Sequence, residues 1–136
     1  MDNKTIATAV EDLPFLELAV AMTIPEGLTL GSRLPDGATL DAERVAAHLA
    51  TLWQVSRSLL RDLGPCDATT NITLEAGTHV ATVNFIDETV AVVLVFSSGV
   101  PLGMMRVYAR QVLSRLQSAH TRRRSADEPG EAPGAS

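Results

Sequence analysis

The segment VVLVFSSGVPLGMMRVYARQV, residues 92–112, places a glycine-containing loop between an apolar strand and a helix. Loops at such junctions can cradle the phosphates of a nucleotide, because their backbone amides point at the ligand. A P-loop has the pattern G-x-x-x-x-G-K-[ST], in which the Lys and the hydroxyl complete the phosphate and magnesium site. Here Gly99 and Gly103 are only four positions apart, and Met104 and Met105 follow. The sequence therefore predicts a turn that redirects the chain, and no nucleotide site.

The residue types that bind metals or act as thiol nucleophiles are scattered along the chain. His48 falls in a helical pattern, His79 in a strand pattern and His120 in a polar tail. A metal site needs several ligands that converge, and no such spacing is present, so we predict no metal and no cofactor. The single cysteine, Cys66, has no base at short spacing to activate it. It is predicted to be an ordinary, partly buried thiol.

The hydroxyl and carboxyl side chains also form no catalytic pattern. The serines lack the G-x-S-x-G context of a nucleophile elbow. They include Ser56, Ser58, Ser97 and Ser98. Several aspartates stand at predicted turns or helix ends, where capping explains them. They are Asp36, Asp41, Asp62 and Asp67. We therefore expect a protein that is not an enzyme.

Composition and charge limit the classes of partner. The chain has 136 residues, which predicts one domain, and aromatic residues make up only 4%, so its core must be aliphatic. A net charge of −5 argues against a nucleic-acid binder and against adsorption to an anionic membrane. The run Arg122–Arg124 is neutralised by acidic residues that follow within a few positions. One cysteine and the absence of a signal-peptide pattern favour a cytoplasmic protein.

The first part of the chain predicts a short helix and a hairpin. Within residues 1–12, one helical face would carry three apolar side chains, Ile6, Ala9 and Val10. Residues 15–24, FLELAVAMTI, alternate with the period of a strand. The turn Pro25–Glu26–Gly27 leads into LTLGSRL, which returns as a second strand.

A helix from Asp41 to Leu63 is the clearest element. Thr39 or Asp41 can cap its start, and Gly64 followed by Pro65 ends it. Its apolar side chains cover about half of the circumference at 100° per residue. They are Val45, Leu49, Leu52, Trp53, Val55, Leu59, Leu60 and Leu63. A helix on one sheet needs a narrower stripe, so the surplus apolar edge requires a second surface, such as another copy of the chain.

Three strands and a final helix complete the predicted domain. The strands are ATTNITLEA, THVATVNF and TVAVVLVF, and the last, being continuously apolar, is predicted to be covered on both faces. The helix starts near Pro101 and has one apolar face. That face carries Leu102, Met105, Tyr108, Ala109, Val112, Leu113 and Leu116. Residues 1–118 are thus predicted to form one α+β domain with a mainly antiparallel five-stranded sheet and helices on its faces, and residues 119–136 a disordered tail.

This order of elements resembles the Roadblock domain of the dynein light-chain and MglB-like family, with its Roadblock/profilin-like fold. The hairpin AVAMTIPEGLTLGSRL resembles the first two strands of the family. DAERVAAHLATLWQVSRSLLRDLG resembles its long central helix. In the ending VAVVLVFSSGVPLGMMRVYARQVLSRL, Leu102 and Gly103 match the pair that opens the last helix of the family. The departures are a short first helix and a Pro-Glu-Gly hairpin turn.

The resemblance implies a non-enzymatic regulator. Members of the family form dimers through the central helix and an adjoining sheet edge, and bacterial members commonly bind a small Ras-like GTPase. Carried over to this sequence, the resemblance implies a homodimer formed through residues 41–63, with contacts along one edge of the apolar arc. The interface residues expected there are Val45, Leu49, Leu52, Trp53, Ser56 and Leu60.

Two other functions remain open at this stage. An acidic, dimeric secretion chaperone fits the size and charge, although such chaperones place three strands before the central helix and only two are predicted here. A stand-alone ligand-sensing or scaffold domain without a GTPase partner is the second alternative. The order of elements argues against the chaperone, and a large thermal stabilisation by one metabolite would identify the ligand-sensing alternative.

Overall fold

The computed structural model describes residues 1–64 and 71–126, which form one antiparallel sheet between helices. In chain order the elements are α1 (Asn3–Val10), β1 (Leu16–Thr23), β2 (Thr29–Arg33), α2 (Ala42–Leu63), β3 (Ile72–Ala76), β4 (His79–Phe85), β5 (Val90–Ser97) and α3 (Leu102–Ala126). The spatial order of the strands is β2-β1-β5-β4-β3, and each neighbouring pair is antiparallel. The predicted α+β fold and the predicted order of elements are confirmed.

The two central strands are buried on both faces. In β5 every residue from Val90 to Phe96 is buried, as its continuous apolar run predicted. In β1 the residues from Leu18 to Met22 are buried as well. Leu18, Val20 and Met22 of β1 point to one side of the sheet, whereas the small side chains of Ala19 and Ala21 point to the other. A sheet of this kind needs cover on both faces.

Helices supply that cover in two separate layers. On one side α2 packs through its small residues Ala46 and Ala50, and Phe85 of β4 belongs to the same cluster. On the other side α1 and α3 pack against Leu94 and Phe96 of β5. The predicted apolar face of α1 is confirmed, because its three apolar residues are buried there. The domain is therefore a three-layer arrangement with the sheet in the middle.

The ends of α2 follow the predicted capping chemistry. Asp41 is the N-cap, and its carboxylate accepts hydrogen bonds from the amides of Glu43 at 3.0 Å and Arg44 at 3.2 Å. This selects Asp41 over Thr39. At the other end Gly64 has φ 134°, a conformation that favours glycine, so the helix ends where the sequence predicted.

The last helix is longer than predicted. α3 starts at Leu102 and continues to Ala126, so residues 119–126, for which the sequence predicts disorder, are helical. The composition contains no large apolar side chain there, but His120 reaches the β4–β5 turn and contacts Asp87 at 2.8 Å. A polar contact therefore holds the helix where an apolar face is missing. Cys66 and residues 127–136 lie outside the described residues.

Gly27 brings the β1–β2 turn against α2, and this contact gives a testable prediction. Its φ is +75°, and a Cβ added there would lie 2.7 Å from the Cβ of Ala50. Gly37 has a similar φ of +79° but open space around it. Gly27→Ala is expected to lower the free energy of unfolding by about 2–4 kcal/mol, because strain and overpacking combine.

Gly37→Ala is the matched control, since it has the strain without the overlap and should lose only about 1 kcal/mol. Urea unfolding of both variants measures the difference. Equal losses in the two variants would contradict the proposed contact between the turn and α2.

Candidate protein-interaction surface

The loop between β5 and α3 is a tight turn. The amide of Val100 donates to the carbonyl of Ser97 at 3.2 Å, and the amide of Met105 donates to the carbonyl of Pro101 at 2.9 Å. Gly99 lies beside the ring of Phe15, whose nearest carbon would be 3.7 Å from an added Cβ. These two hydrogen bonds close a tight turn at the start of the last helix, in agreement with the predicted turn.

The three histidines lie far apart and make different contacts. His48 is exposed on α2, whereas His79 contacts Glu17 and His120 contacts Asp87. Over the ranges that the structure describes, no three His, Cys, Asp or Glu side chains come together as metal ligands. The contacts of His79 and His120 are therefore pairwise contacts with single carboxylates.

A hydroxyl, an imidazole and a carboxylate form a short chain at one end of the sheet. Thr78 Oγ1 lies 2.8 Å from His79 Nδ1, and His79 Nε2 lies 3.2 Å from Glu17 Oε2. The contact joins β4 to β1 across the end of β5. Sequence reasoning missed it, because Glu17 and His79 are 62 positions apart and no periodic pattern connects them. The half-exposed histidine and carboxylate form a cross-strand ion pair when the imidazole is protonated.

Asp87 organises the β4–β5 turn and anchors α3. Its Oδ1 accepts hydrogen bonds from the Thr89 amide at 2.7 Å, the Thr89 hydroxyl at 2.9 Å and the Val90 amide at 2.9 Å. Its Oδ2 contacts His120 Nε2 at 2.8 Å. Partial burial raises the pKa of Asp87, but these hydrogen bonds together lower it by more. The pKa therefore lies below the ordinary value of 3.8.

The lowered pKa of Asp87 determines how the stability of the fold depends on pH. A carboxylate with a lower pKa in the folded state stabilises the fold above its unfolded pKa and loses that effect as the pH falls through the folded pKa. We expect Asp87→Ala to cost about 1–2 kcal/mol of unfolding free energy at neutral pH. The difference from wild type should shrink below a pH of 3.8, the ordinary value for this group.

Asp36→Ala serves as the control, because the Asp36 side chain is exposed and makes no hydrogen bond or ion pair within the described ranges. Chemical unfolding at a series of pH values tests both variants. A difference between Asp87→Ala and wild type that stays constant from neutral to acidic pH would contradict this role of the carboxylate.

The C-terminal half of α2 carries an apolar row that faces away from the sheet. Val55, Leu59 and Leu63 follow one another at helical spacing and are 65%, 57% and 74% exposed. Residues four positions apart differ by only about 40° around a helix, because each residue turns by about 100°. The three side chains therefore lie on one side of α2. We call these three residues the outer stripe of α2. Monomeric proteins rarely expose large apolar residues in such a continuous row, so the outer stripe is a candidate contact surface.

The six predicted interface residues occupy a neighbouring part of the same helix. Leu49 is only 7% exposed and packs against the sheet of its own chain. Trp53 is partly buried, and its ring centroid lies 4.4 Å from that of Phe85. The others are partly exposed: Val45, Leu52, Ser56 and Leu60. Contact of these residues with a second chain stays a prediction, and Leu49 and Trp53 are already engaged within their own chain.

The two edges of the sheet differ. On the β2 edge, the amide of Ser32 donates to Asn3 Oδ1 at 2.8 Å, and Gly31 packs against the backbone of Met1 and Asp2. On the β3 edge, no other strand of the described ranges pairs with the outer side of β3. Leu74 of β3 is 48% exposed. The N-terminal residues therefore cover the β2 edge, whereas β3 presents an open edge with an apolar side chain.

Both candidate features lie on one side of the sheet. Leu74 is opposite Ala81, and Ile72 is opposite Val83, which packs in the cluster under α2. Directly opposite residues of an antiparallel pair share a face. Leu74 therefore projects on the α2 side of the sheet.

In the same described ranges, no helix is both long and apolar enough to cross a membrane.

Solved structures with this arrangement of elements are similar over most of the chain. MglB of Myxococcus xanthus superposes with a TM-score of 0.73 at 15% identity, over 88% of this chain and 94% of that chain. A Roadblock/LC7 domain from Streptomyces avermitilis superposes with a TM-score of 0.72 at 13% identity, over 88% and 97% of the two chains. The chain has a Roadblock-type fold.

Further matches support this Roadblock-type fold. The gliding protein MglB from Thermus thermophilus gives a TM-score of 0.71 at 16% identity, with 85% of this chain and 84% of that chain covered. Profilin II of Acanthamoeba castellanii is less similar, with a TM-score of 0.56 at 10% identity, over 87% and 98% of the chains. Neither a protein-family model nor a curated protein matches the sequence. The shared property is thus three-dimensional and confirms the fold that the resemblance implied.

Proposed function

We propose that this chain is a non-enzymatic, Roadblock-type regulatory or scaffold protein that forms a homodimer and binds and modulates a small Ras-like GTPase. The observation that carries the proposal is the exposed outer stripe of α2 on the same side of the sheet as the apolar side chain of the open β3 edge, in a fold shared with MglB. The GTPase partner comes from the Roadblock resemblance. No residue is assigned a catalytic role.

The exposed apolar area of the outer stripe supports the proposed dimer. Complete burial of one Val or Leu side chain contributes about 1.5–3 kcal/mol, and each protomer exposes the three side chains of the outer stripe. A second copy would cover these residues with their own equivalents in a two-fold, self-complementary interface. The helix of a second chain is a suitable occupant, because apolar residues at steps of four are the pattern of helix–helix contacts.

The difference between the sheet edges supports the choice of β3. An unpaired edge presents a row of amide and carbonyl groups that can pair with another strand. On β2 the side chain of Asn3 already occupies the amide of Ser32. Pairing of β3 with its copy would join two sheets into one continuous sheet and bring Leu74 of both chains toward the interface. The interface would then combine helix contacts with main-chain hydrogen bonds.

The strand order favours this proposal over the secretion chaperone. Two strands precede α2 in the structure, as the sequence predicted, whereas a secretion chaperone would have three. The ligand-sensing alternative makes a different prediction, namely a large thermal stabilisation by one specific metabolite. A thermal-shift screen against a metabolite panel therefore separates it from the GTPase regulator.

Leu59→Arg tests the dimer. A charge on each copy of the outer stripe would be buried without a partner, so the dissociation constant of the dimer should rise by about a hundredfold or more. Sedimentation velocity at micromolar concentration measures the change. Circular dichroism should show an unchanged fold, because Leu59 is 57% exposed within its own chain.

The matched control for this experiment is Leu28→Arg. Leu28 lies between β1 and β2 and is 63% exposed, so it tests the same chemical change at another surface. This variant should remain dimeric. A wild-type protein that sediments as a stable monomer at tens of micromolar, or a dimeric Leu59→Arg variant, would contradict the proposed interface.

The GTPase partner needs a separate experiment. Purified small Ras-like GTPases of the source organism, loaded with GDP or with a non-hydrolysable GTP analogue, are titrated with the dimer. We expect one of them to bind and to prefer one nucleotide state, because a regulator must distinguish the two states to shift their populations. GTP hydrolysis rates with and without the dimer show whether turnover changes. Failure of every GTPase to bind an intact dimer would contradict the GTPase assignment while leaving the dimer assignment in place.

A further inference from the structure

We propose that the groove between α1 and α3 binds an acidic, amphipathic segment of a partner protein. This α1–α3 groove lies on the opposite side of the sheet from α2, and it has a volume of about 590 Å³. The inference goes beyond the function proposed above and does not depend on it.

The polar side chains along the groove are basic or hydroxylic. Lys4, Arg115 and Arg122 line it together with hydroxyl side chains of both helices. Among the described residues that line it there is no carboxylate, although the whole chain carries a net charge of −5. Three of the basic residues of an acidic protein are thus placed on one surface. A surface of this kind attracts a ligand with negative charges and repels a basic one.

The three basic residues have different roles. Arg115 donates to the Ala9 carbonyl at 2.9 Å and to both oxygens of Asp12, at 2.8 Å and 3.1 Å. It therefore holds the C-terminal end of α1 against α3 and fixes that end of the groove. Lys4 and Arg122 are exposed, and neither forms an ion pair within the described ranges. Lys4 is in the first turn of α1, and Arg122 lies on α3 about two turns beyond Arg115. Arg115 marks the end of the groove at the C-terminus of α1, and these two cations lie toward its other end.

The floor of the groove is apolar. Ala9 and Leu116 are buried beneath it, and Ala119 is partly exposed along it. Small alanines on both helices leave depth into which a larger apolar side chain of a ligand fits. From Ser114 to Arg122, α3 advances by about 12 Å at 1.5 Å per residue. About two turns of a bound helix cover this length, with apolar residues against the floor and carboxylates toward Lys4 and Arg122.

Charge and side-chain size together select the occupant. The sequence that follows α3, residues 127–136, is acidic but contains no apolar side chain larger than alanine or proline. It supplies carboxylates but nothing that fills the floor. A second copy of the chain would bring its own basic groove against this one, which like charges oppose. An acidic segment with leucine-sized side chains from another protein satisfies both features.

A peptide titration tests the proposal on the full chain. The probe is a fluorescein-labelled peptide of about 14 residues, or four helical turns, with leucine at every third or fourth position and glutamate elsewhere. Fluorescence anisotropy is measured at about 20 mM and about 300 mM salt, where screening differs strongly. The wild-type chain should bind this peptide, more weakly at the higher salt. The same peptide with lysine in place of each glutamate should not bind.

Two double variants separate the groove from net charge. Lys4→Glu/Arg122→Glu should weaken binding by about tenfold or more, because both free cations become repulsive. Arg33→Glu/Arg106→Glu makes the same change in net charge at other exposed positions and should alter binding by less than about twofold. Equal effects of the two double variants, or no binding of the acidic peptide by wild type, would overturn the proposal.

A chain that ends at Ala126 tests the alternative occupant. If the acidic peptide binds this shortened chain with unchanged affinity, the groove is open to a partner, as proposed. If removal of residues 127–136 strengthens peptide binding by tenfold or more, the chain's own acidic end competes for the groove, and the assignment to a partner segment is wrong. Circular dichroism of all variants confirms that differences in affinity are not differences in folding.

Discussion

The requirement that a doubly apolar sheet be covered on both faces determines this structure. The central strands β1 and β5 are buried on either side, so no arrangement with a solvated face is available to them. Small side chains, Ala19 and Ala21, face α1 and α3, whereas large ones face α2. The single helix α2 covers the face with the large side chains, and α1 and α3 together cover the other face. The surplus apolar row on α2 is what remains after the sheet has been covered.

Local patterns predicted every element but not every boundary or orientation. The continuous apolar run of β5 and the caps of α2 were sufficient, because each depends on neighbours in sequence. The rotation of α2 was not predictable from its half-circumference apolar arc. Ala46 and Ala50 contact the sheet and turn Leu49 and Trp53 toward it, which leaves the opposite edge of the arc outside. Counting only large apolar residues concealed this, since small residues allow the closest approach.

Long-range polar pairs explain most of what the sequence did not reveal. Asp12 and Arg115 are 103 positions apart, and Asp87 and His120 are 33 apart, yet both pairs fasten α3 to the rest of the chain. No periodicity connects such residues, so composition alone predicted disorder for a segment that is helical. The candidate interface on α2 was likewise predictable only in part. The helix that carries it was predictable, whereas the exposure of individual residues depends on packing that only the assembled fold defines.

The covered β2 edge also limits how many chains could join through strand pairing. A sheet with two free edges can add strands at both sides and grow into an open-ended ribbon, but Asn3 and the backbone of Met1 and Asp2 stand where the next strand would bond to β2. If two copies pair as proposed, strand addition is confined to the β3 edge, and pairing there leaves no further edge open in the described residues. Residues 1–3 would thus favour a closed pair over an open-ended array.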